Sequence, residues 1–157
     1  MTNLPYRPNV CLFILNSSSQ IFIGLRSGSD TIWQLPQGGV EDDLDLAGNA
    51  IREAYEELGA DQDKFQIIKQ LDARHQYDFR TTPDFAKGVY RGQDQTFWLL
   101  SFSGEDSEID LNRYTPEFKE WCWMDHQDFL GKVEKIRHEG YLKALPEVIE
   151  YINLQNN

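Results

Sequence analysis

Three glutamates fall within five residues, Glu53, Glu56 and Glu57, in the run Arg52-Glu53-Ala54-Tyr55-Glu56-Glu57-Leu58-Gly59-Ala60. If this run is a helix, the spacing i, i+3 and i+4 puts all three carboxylates on one face. Like charges at that spacing repel, which costs stability unless something positive sits between them. A hard divalent cation with oxygen ligands meets that need. A cation held this way can neutralise an anionic substrate and orient a water molecule for attack. Three glutamates alone read as a solvated helix face. The surrounding pattern changes that reading.

The opposite face of the same run is apolar. Ala47, Ala50, Ile51, Ala54 and Leu58 recur at helical spacing and form a core-facing stripe. Gly59 follows the last periodic residue, where a left-handed glycine would stop the helix. An aspartate near the start supplies a candidate N-cap, so the helix is expected from about Asp45 to Leu58. One side is then buried and fixed, and the other presents acid.

Further elements must hold this helix. Val10 to Leu15 and Ile21 to Leu25 are apolar runs, joined by the turn-like Asn16-Ser17-Ser18-Ser19-Gln20, and read as a hairpin. Ile32 to Leu35 reads as a short strand, ended by Pro36 and a Gly38-Gly39 turn. Phe65 to Phe79 holds one long or two short strands. Thr96 to Phe102 and Glu120 to Met124 are strand candidates, and the tail from about Gln127 is helical. Pro146 should break that tail, because an interior proline removes a hydrogen bond and clashes with the preceding turn. Strands and helices are mixed rather than strictly alternating, so a mixed sheet with helices on both faces is expected.

At 157 residues the chain reads as a single domain, residues 1–157, long enough to bury a core. No apolar stretch reaches membrane-spanning length and no basic-then-apolar leader is present, so the expected location is cytoplasmic, without a membrane partner. Cys11 and Cys122 are far apart and form no CxxC, which reads as free thiols. His75, His126 and His138 lack zinc-ligand spacing. The net charge is −11, of which residues 41–61 carry −7, whereas residues 1–40 carry +1. The acidity is thus concentrated around the glutamate cluster. Such a chain has no broad electrostatic footprint for duplex nucleic acid, and if it acts on RNA it should grip an end.

From Gly38 the segment reads GGVEDDLDLAGNAIREAYEELGA and resembles the Nudix box: Gly, five residues, Glu, seven residues, then Arg-Glu-apolar-x-Glu-Glu-x-Gly-apolar. Every fixed position matches except one, where Leu44 replaces the first glutamate. Further segments resemble the branch of RNA pyrophosphohydrolases and asymmetric dinucleoside tetraphosphate hydrolases. They are Tyr6-Arg7-Pro8-Asn9-Val10, Trp33 to Gly39, Tyr77-Asp78-Phe79, Arg91-Gly92-Gln93-Asp94-Gln95, and Thr115-Pro116-Glu117-Phe118 with Trp121 and Trp123.

The resemblance implies an α/β Nudix fold, an α/β/α sandwich with a mixed central sheet. It implies Mg2+, with Mn2+ as a substitute, held by Glu53, Glu56, Glu57 and Glu117 and by the Gly38 carbonyl. Arg52, Glu53, Glu57 and Glu117 become the catalytic residues, and the resemblance leaves open which of the three glutamates is the general base. Arg7, Arg26, Tyr77, Gln95 and Arg137 become substrate-binding residues. The departures bear on substrate more than on reaction. Ser27 stands where a second arginine is common, and Ile136-Arg137 replaces a Phe-Lys pair, with loss of a base stack of about 1–3 kcal/mol. Asp43 or Asp45 is expected to substitute in part for the carboxylate missing at Leu44.

The expected reaction is hydrolysis of a phosphoanhydride, most simply removal of pyrophosphate from a 5′-triphosphorylated RNA end. Asymmetric cleavage of diadenosine tetraphosphate to ATP and AMP is the alternative. A non-catalytic nucleotide-binding module is the third reading, with Leu44 as its only support.

Overall fold

The computed structural model describes residues 3–156. Its strands are β1 (Tyr6–Leu15), β2 (Ile21–Arg26), β3 (Trp33–Gln34), β4 (Gln37–Gly39), β5 (Phe65–Asp78), β6 (Gly92–Phe102) and β7 (Phe118–Met124). Its α-helices are α1 (Leu46–Leu58), α2 (His126–Lys132) and α3 (His138–Gln155). Among the described residues the strands form one sheet in the order β3-β2-β1-β6-β5, with β4 paired to β1 and β7 to β2. β1 and β6 run parallel and the other pairs antiparallel, so the sheet is mixed.

The period-2 alternation of strand side chains sorts β1 and β6 into two cores. Cys11, Phe13 and Leu15 of β1 and Phe97 and Leu99 of β6 meet Tyr141, Leu145, Val148 and Ile152 of α3 on one face. Val10, Leu12, Ile14, Trp98, Leu100 and Phe102 meet Ala50, Ala54 and Leu58 of α1 on the other. Both faces being covered explains why β1 is continuously apolar from Val10 onward. The expected α/β/α sandwich is what forms, and the hairpin, the box helix and the long Phe65 strand fall where expected.

Two local expectations are corrected. Gly38-Gly39 is not a turn: the segment Gln37–Gly39 is a strand, with Gly38 opposite Val10. Pro36 ends β3, but the chain then re-enters the sheet beside β1. Pro146 does not break the last helix, which runs from His138 to Gln155. Pro146 is exposed, and so is Leu142, whose carbonyl the missing N–H would have reached. The proline therefore faces water, while Tyr141, Ala144, Leu145 and Val148 anchor the helix from its buried side.

Candidate active site

Both ends of α1 are built by specific residues. Asp45 caps the N-terminus, its side chain accepting from the Gly48 N–H. Asn49, fully buried, organises the loop before the helix. Its amide nitrogen lies within hydrogen-bond reach of the Glu41, Leu44 and Asp45 carbonyls, and its oxygen accepts from the Glu41 N–H and from Arg52. Sequence reading passed over Asn49, although an asparagine inside a helix is disfavoured and signals side-chain to backbone bonding. At the other end Gly59 adopts φ 69°, and its N–H reaches the Tyr55 carbonyl at 2.8 Å. The next loop is pinned there: the Asp110 N–H donates to the Leu58 carbonyl at 2.9 Å, and Arg113 reaches the Gly59 carbonyl and Asp61. That loop leads to Glu117, whose carbonyl accepts from the Ser27 N–H.

The glutamate face of α1 forms one wall of a cleft of about 590 Å³. Its lining includes Glu53, Glu56, Glu57, Glu117, Gly38 and Arg7, so all five expected metal-site residues and one expected phosphate-binding residue meet there. Gly38 lies on the α1 side of β4, so close to Glu53 that a methyl group on its Cα would overlap the carboxylate.

Arg52 is placed differently. It is buried and is absent from the cleft lining. Its guanidinium donates to Glu53 at 2.8 Å, Glu56 at 3.2 Å, the Gly39 carbonyl at 2.8 Å and Asn49 at 3.0 Å. Burial works against its charge, but Glu53, Glu41 and Glu56 outweigh that and raise its pKa. Arg52 thus ties α1 to β4 from behind the carboxylates.

Burial also dominates the glutamates. It raises the Glu53 carboxyl, with Arg52 opposing. Glu57 is pushed up to about 9, by burial first and then by Glu53, Glu117 and Glu56. Its Oε2 atom is buried with no hydrogen-bond partner. Among the described residues no three His, Cys, Asp or Glu side chains are already gathered around a point that could hold an ion. Of the cleft carboxylates, Glu53 and Glu56 bond Arg52 instead.

A raised carboxyl pKa works against the folded state as pH rises. The contribution is intact below the ordinary value near 4.5 and is lost on the way up to about 9. The melting temperature of metal-free protein in a chelator is therefore expected to fall between those values. Glu57→Gln, which has no proton to lose, should flatten that slope in thermal melts across the same range.

The remaining expected substrate residues divide. Tyr77, Gln95 and Arg137 line a second cleft of about 380 Å³ together with His75, Phe79 and Ile136. Ile136 is 65% exposed at its rim. Arg26 lines neither cleft; it is exposed at the end of β2, opposite Phe118. Cys11 is free and buried, its thiol pushed up to about 12 by burial, and Cys122 is free and half-buried.

A carboxylate-lined cleft on a capped helix, at the edge of a mixed sheet sandwiched by helices, is the architecture of a Nudix-class hydrolase. The chain matches the NUDIX domain over residues 5–146 and belongs to the Nudix hydrolase family. It is 38% identical over 146 residues to the RNA pyrophosphohydrolase of Wolbachia pipientis subsp. Culex pipiens (strain wPip), covering 90% of this chain and 88% of that one. It is 35% identical over 157 residues to the RNA pyrophosphohydrolase of Novosphingobium aromaticivorans, covering 95% and 96%. Among solved structures, a C. elegans Ap4A hydrolase binary complex superposes with a TM-score of 0.65 at 19% identity, covering 92% and 98% of the two chains. The E. coli dihydroneopterin triphosphate pyrophosphohydrolase also superposes at 0.65, with 16% identity and coverage of 90% and 99%. These two likenesses show a shared fold.

Leu44, the one departure within the box, is 37% exposed and lines a shallow hollow beside Arg52. The expected stand-ins do not stand in. Asp45 caps the helix, and the carboxylates that reach Arg52 among the described residues are those of Glu41, Glu53 and Glu56. Arg52 Nε is left buried without a hydrogen bond, with Glu41 at 3.6 Å. Leu44→Glu would offer Nε a partner without touching the cleft carboxylates. It is expected to change the hydrolytic rate by less than about tenfold, or ~1.4 kcal/mol. An inert wild type switched on by Leu44→Glu in a magnesium-dependent assay would make the natural chain a binding module.

Proposed function

We propose that this protein removes pyrophosphate from 5′-triphosphorylated RNA ends, with Mg2+ held by Glu53, Glu56, Glu57, Glu117 and the Gly38 carbonyl, and Mn2+ able to replace it. The observation that carries the reading is the convergence of four carboxylates with Arg7 in one cleft. The donor set suits the cation: all donors are hard oxygens, and a buried Glu57 oxygen lacks any partner. When bound, the cation neutralises phosphate charge and polarises a water.

The chain's own residues do the rest. Arg7, a permanent cation at the cleft edge, pairs with the phosphate chain. Arg52 holds Glu53 and Glu56 in place from behind. One of Glu53, Glu57 and Glu117 takes the proton from the attacking water. Tyr77, Gln95 and Arg137 receive the nucleotide in the second cleft, and Arg26 meets the substrate from the β2 end. Curated relatives at 35–38% identity, named RNA pyrophosphohydrolase, support RNA over diadenosine tetraphosphate as substrate. Among the described residues no helix is long and apolar enough to cross a membrane, and the −11 charge supports a short grip on an RNA end rather than a duplex track.

A side-by-side assay decides the substrate. With magnesium present, kcat/KM on triphosphorylated RNA is expected to exceed that on diadenosine tetraphosphate by about tenfold, the equivalent of ~1.4 kcal/mol. Preference for the dinucleotide would overturn the RNA reading and leave the hydrolase reading standing.

A further inference from the structure

The two clefts are joined by a polar row with a buried centre. Arg7 on β1, Gln93 on β6 and Tyr77 on β5 stand opposite one another in register across three adjacent strands. Gln93 is 6% exposed and makes contacts in both directions. Its amide nitrogen donates to the Tyr77 hydroxyl at 2.6 Å, and its oxygen accepts from Arg7 at 3.3 Å and from Asn9 at 3.2 Å. The next same-face row repeats the pattern with Asn9, Gln95 and His75. There Gln95 donates to Asn9 at 3.0 Å and to Gln37 at 2.7 Å. His75 stacks on the Tyr77 ring at 5.2 Å and 26°.

Such a network is costly to bury unless every member is satisfied, and when satisfied it rigidifies what it joins. Apolar residues would have continued the α3-side core here, as Phe97 and Leu99 do further along β6. The polar row instead joins Tyr77, in the second cleft, to Arg7, in the acidic cleft. Two interstrand steps of about 4.8 Å set the backbone separation of those residues at about 10 Å.

We propose that Gln93 is a positioning residue that fixes the span between the Tyr77 ring and the Arg7 guanidinium, and thereby selects which phosphoanhydride of a bound nucleotide polyphosphate faces the carboxylates. The inference rests on the reading of the acidic cleft as hydrolytic. With the base held at Tyr77 and the phosphates at Arg7, the span decides the point of attack. Water attack across the α–β bridge consumes one water and yields 5′-monophosphate RNA, pyrophosphate and one proton. Attack across the β–γ bridge consumes one water and yields 5′-diphosphate RNA, orthophosphate and one proton. In each case the new bond joins the water oxygen to phosphorus, and the bridging oxygen leaves with the phosphate fragment not attacked.

The test is the ratio of pyrophosphate to orthophosphate released from a 5′-triphosphorylated tetranucleotide. Gln93→Leu, similar in size and without hydrogen bonds, is expected to shift the ratio towards orthophosphate by about tenfold, within the range a displacement near 1 Å produces. Gln93→Glu can accept from Arg7, Asn9 and the Tyr77 hydroxyl, and should keep the wild-type ratio. On the same oligonucleotide without its bases, wild type and Gln93→Leu should give one common ratio, since no base engages Tyr77. If Gln93→Leu fails to fold, Tyr77→Phe cuts the same link and should shift the ratio in the same sense. A slower variant with an unchanged ratio on RNA, or an equal shift on the base-free substrate, overturns the proposal. A wild type releasing neither product overturns the hydrolytic reading, and this inference with it.

Discussion

Glu56→Gln and Glu57→Gln are each expected to lower magnesium-dependent turnover by about 100-fold or more, as loss of a metal clamp would, while the protein stays folded. Glu57 is buried beside Glu53 with one oxygen unpartnered, so its carboxylate has no structural contact for an amide to break at that atom. Gln keeps its shape and removes the charge that a cation would use. Glu56 sits at the more open side of the cleft, 3.2 Å from Arg52, where an amide oxygen can still accept that hydrogen bond. Folding should therefore survive both changes, as judged by circular dichroism and thermal melts. Phosphate release with magnesium present is the readout, and near-normal activity in both variants would falsify the metal-ligand assignment.

Gly38→Ala is expected to separate activity from stability. The added methyl would overlap the Glu53 carboxylate, the far end of a side chain that can swing aside. The backbone pairing of Gly38 with Val10 needs no side chain and should persist. Breaking the buried 2.8 Å contact with Arg52 would be costly, so Glu53 should keep it and shift within the cleft, with little change in stability. A displacement of about 1 Å at a reacting centre can cost about 100-fold, so kcat should fall by that order while the melting temperature barely moves. Wild-type kcat would mean that Glu53 has more freedom than its packing against Gly38 implies.

The helix that carries the glutamates was legible because each local signal agreed: the apolar stripe, the aspartate cap and the glycine stop all mark the same boundaries. The gathering of Glu117 with the helix glutamates came from resemblance alone, since no periodicity relates residues so far apart in the chain. The catalytic role expected of Arg52 came from the resemblance, which carries no information on where the side chain is placed. Its burial and its bonds to Gly39 and Asn49 turn it behind the carboxylates, and burial of that kind depends on packing partners from other segments. The setting of Gln93 is hidden from the sequence for a related reason. Alternation along β6 puts it on one face, but only the pairing of β6 with both β1 and β5 reveals that Arg7 and Tyr77 flank it. The rule for interior prolines fails at Pro146 because it takes no account of which side of the helix faces water.

The fastening of Asp110 to the last turn of α1 divides the neighbouring loop into parts of unequal tolerance to changes in length. Residues 103–109 lie ahead of it, anchored at the surface by Ser103 and Glu108 to Lys64 and by Asp106 to Trp123, and contribute nothing to the cleft lining. An insertion there lengthens a surface excursion whose closure cost grows by only ~0.6 kcal/mol per doubling. Residues 110–117 are pinned at both ends, to Leu58 at one and to Ser27 at the other. An insertion there would have to buckle a strut of set length and carry Glu117 out of the cleft. For grafting a tag, a reporter or a second domain, the stretch before Asp110 is the open port and the stretch after it is closed.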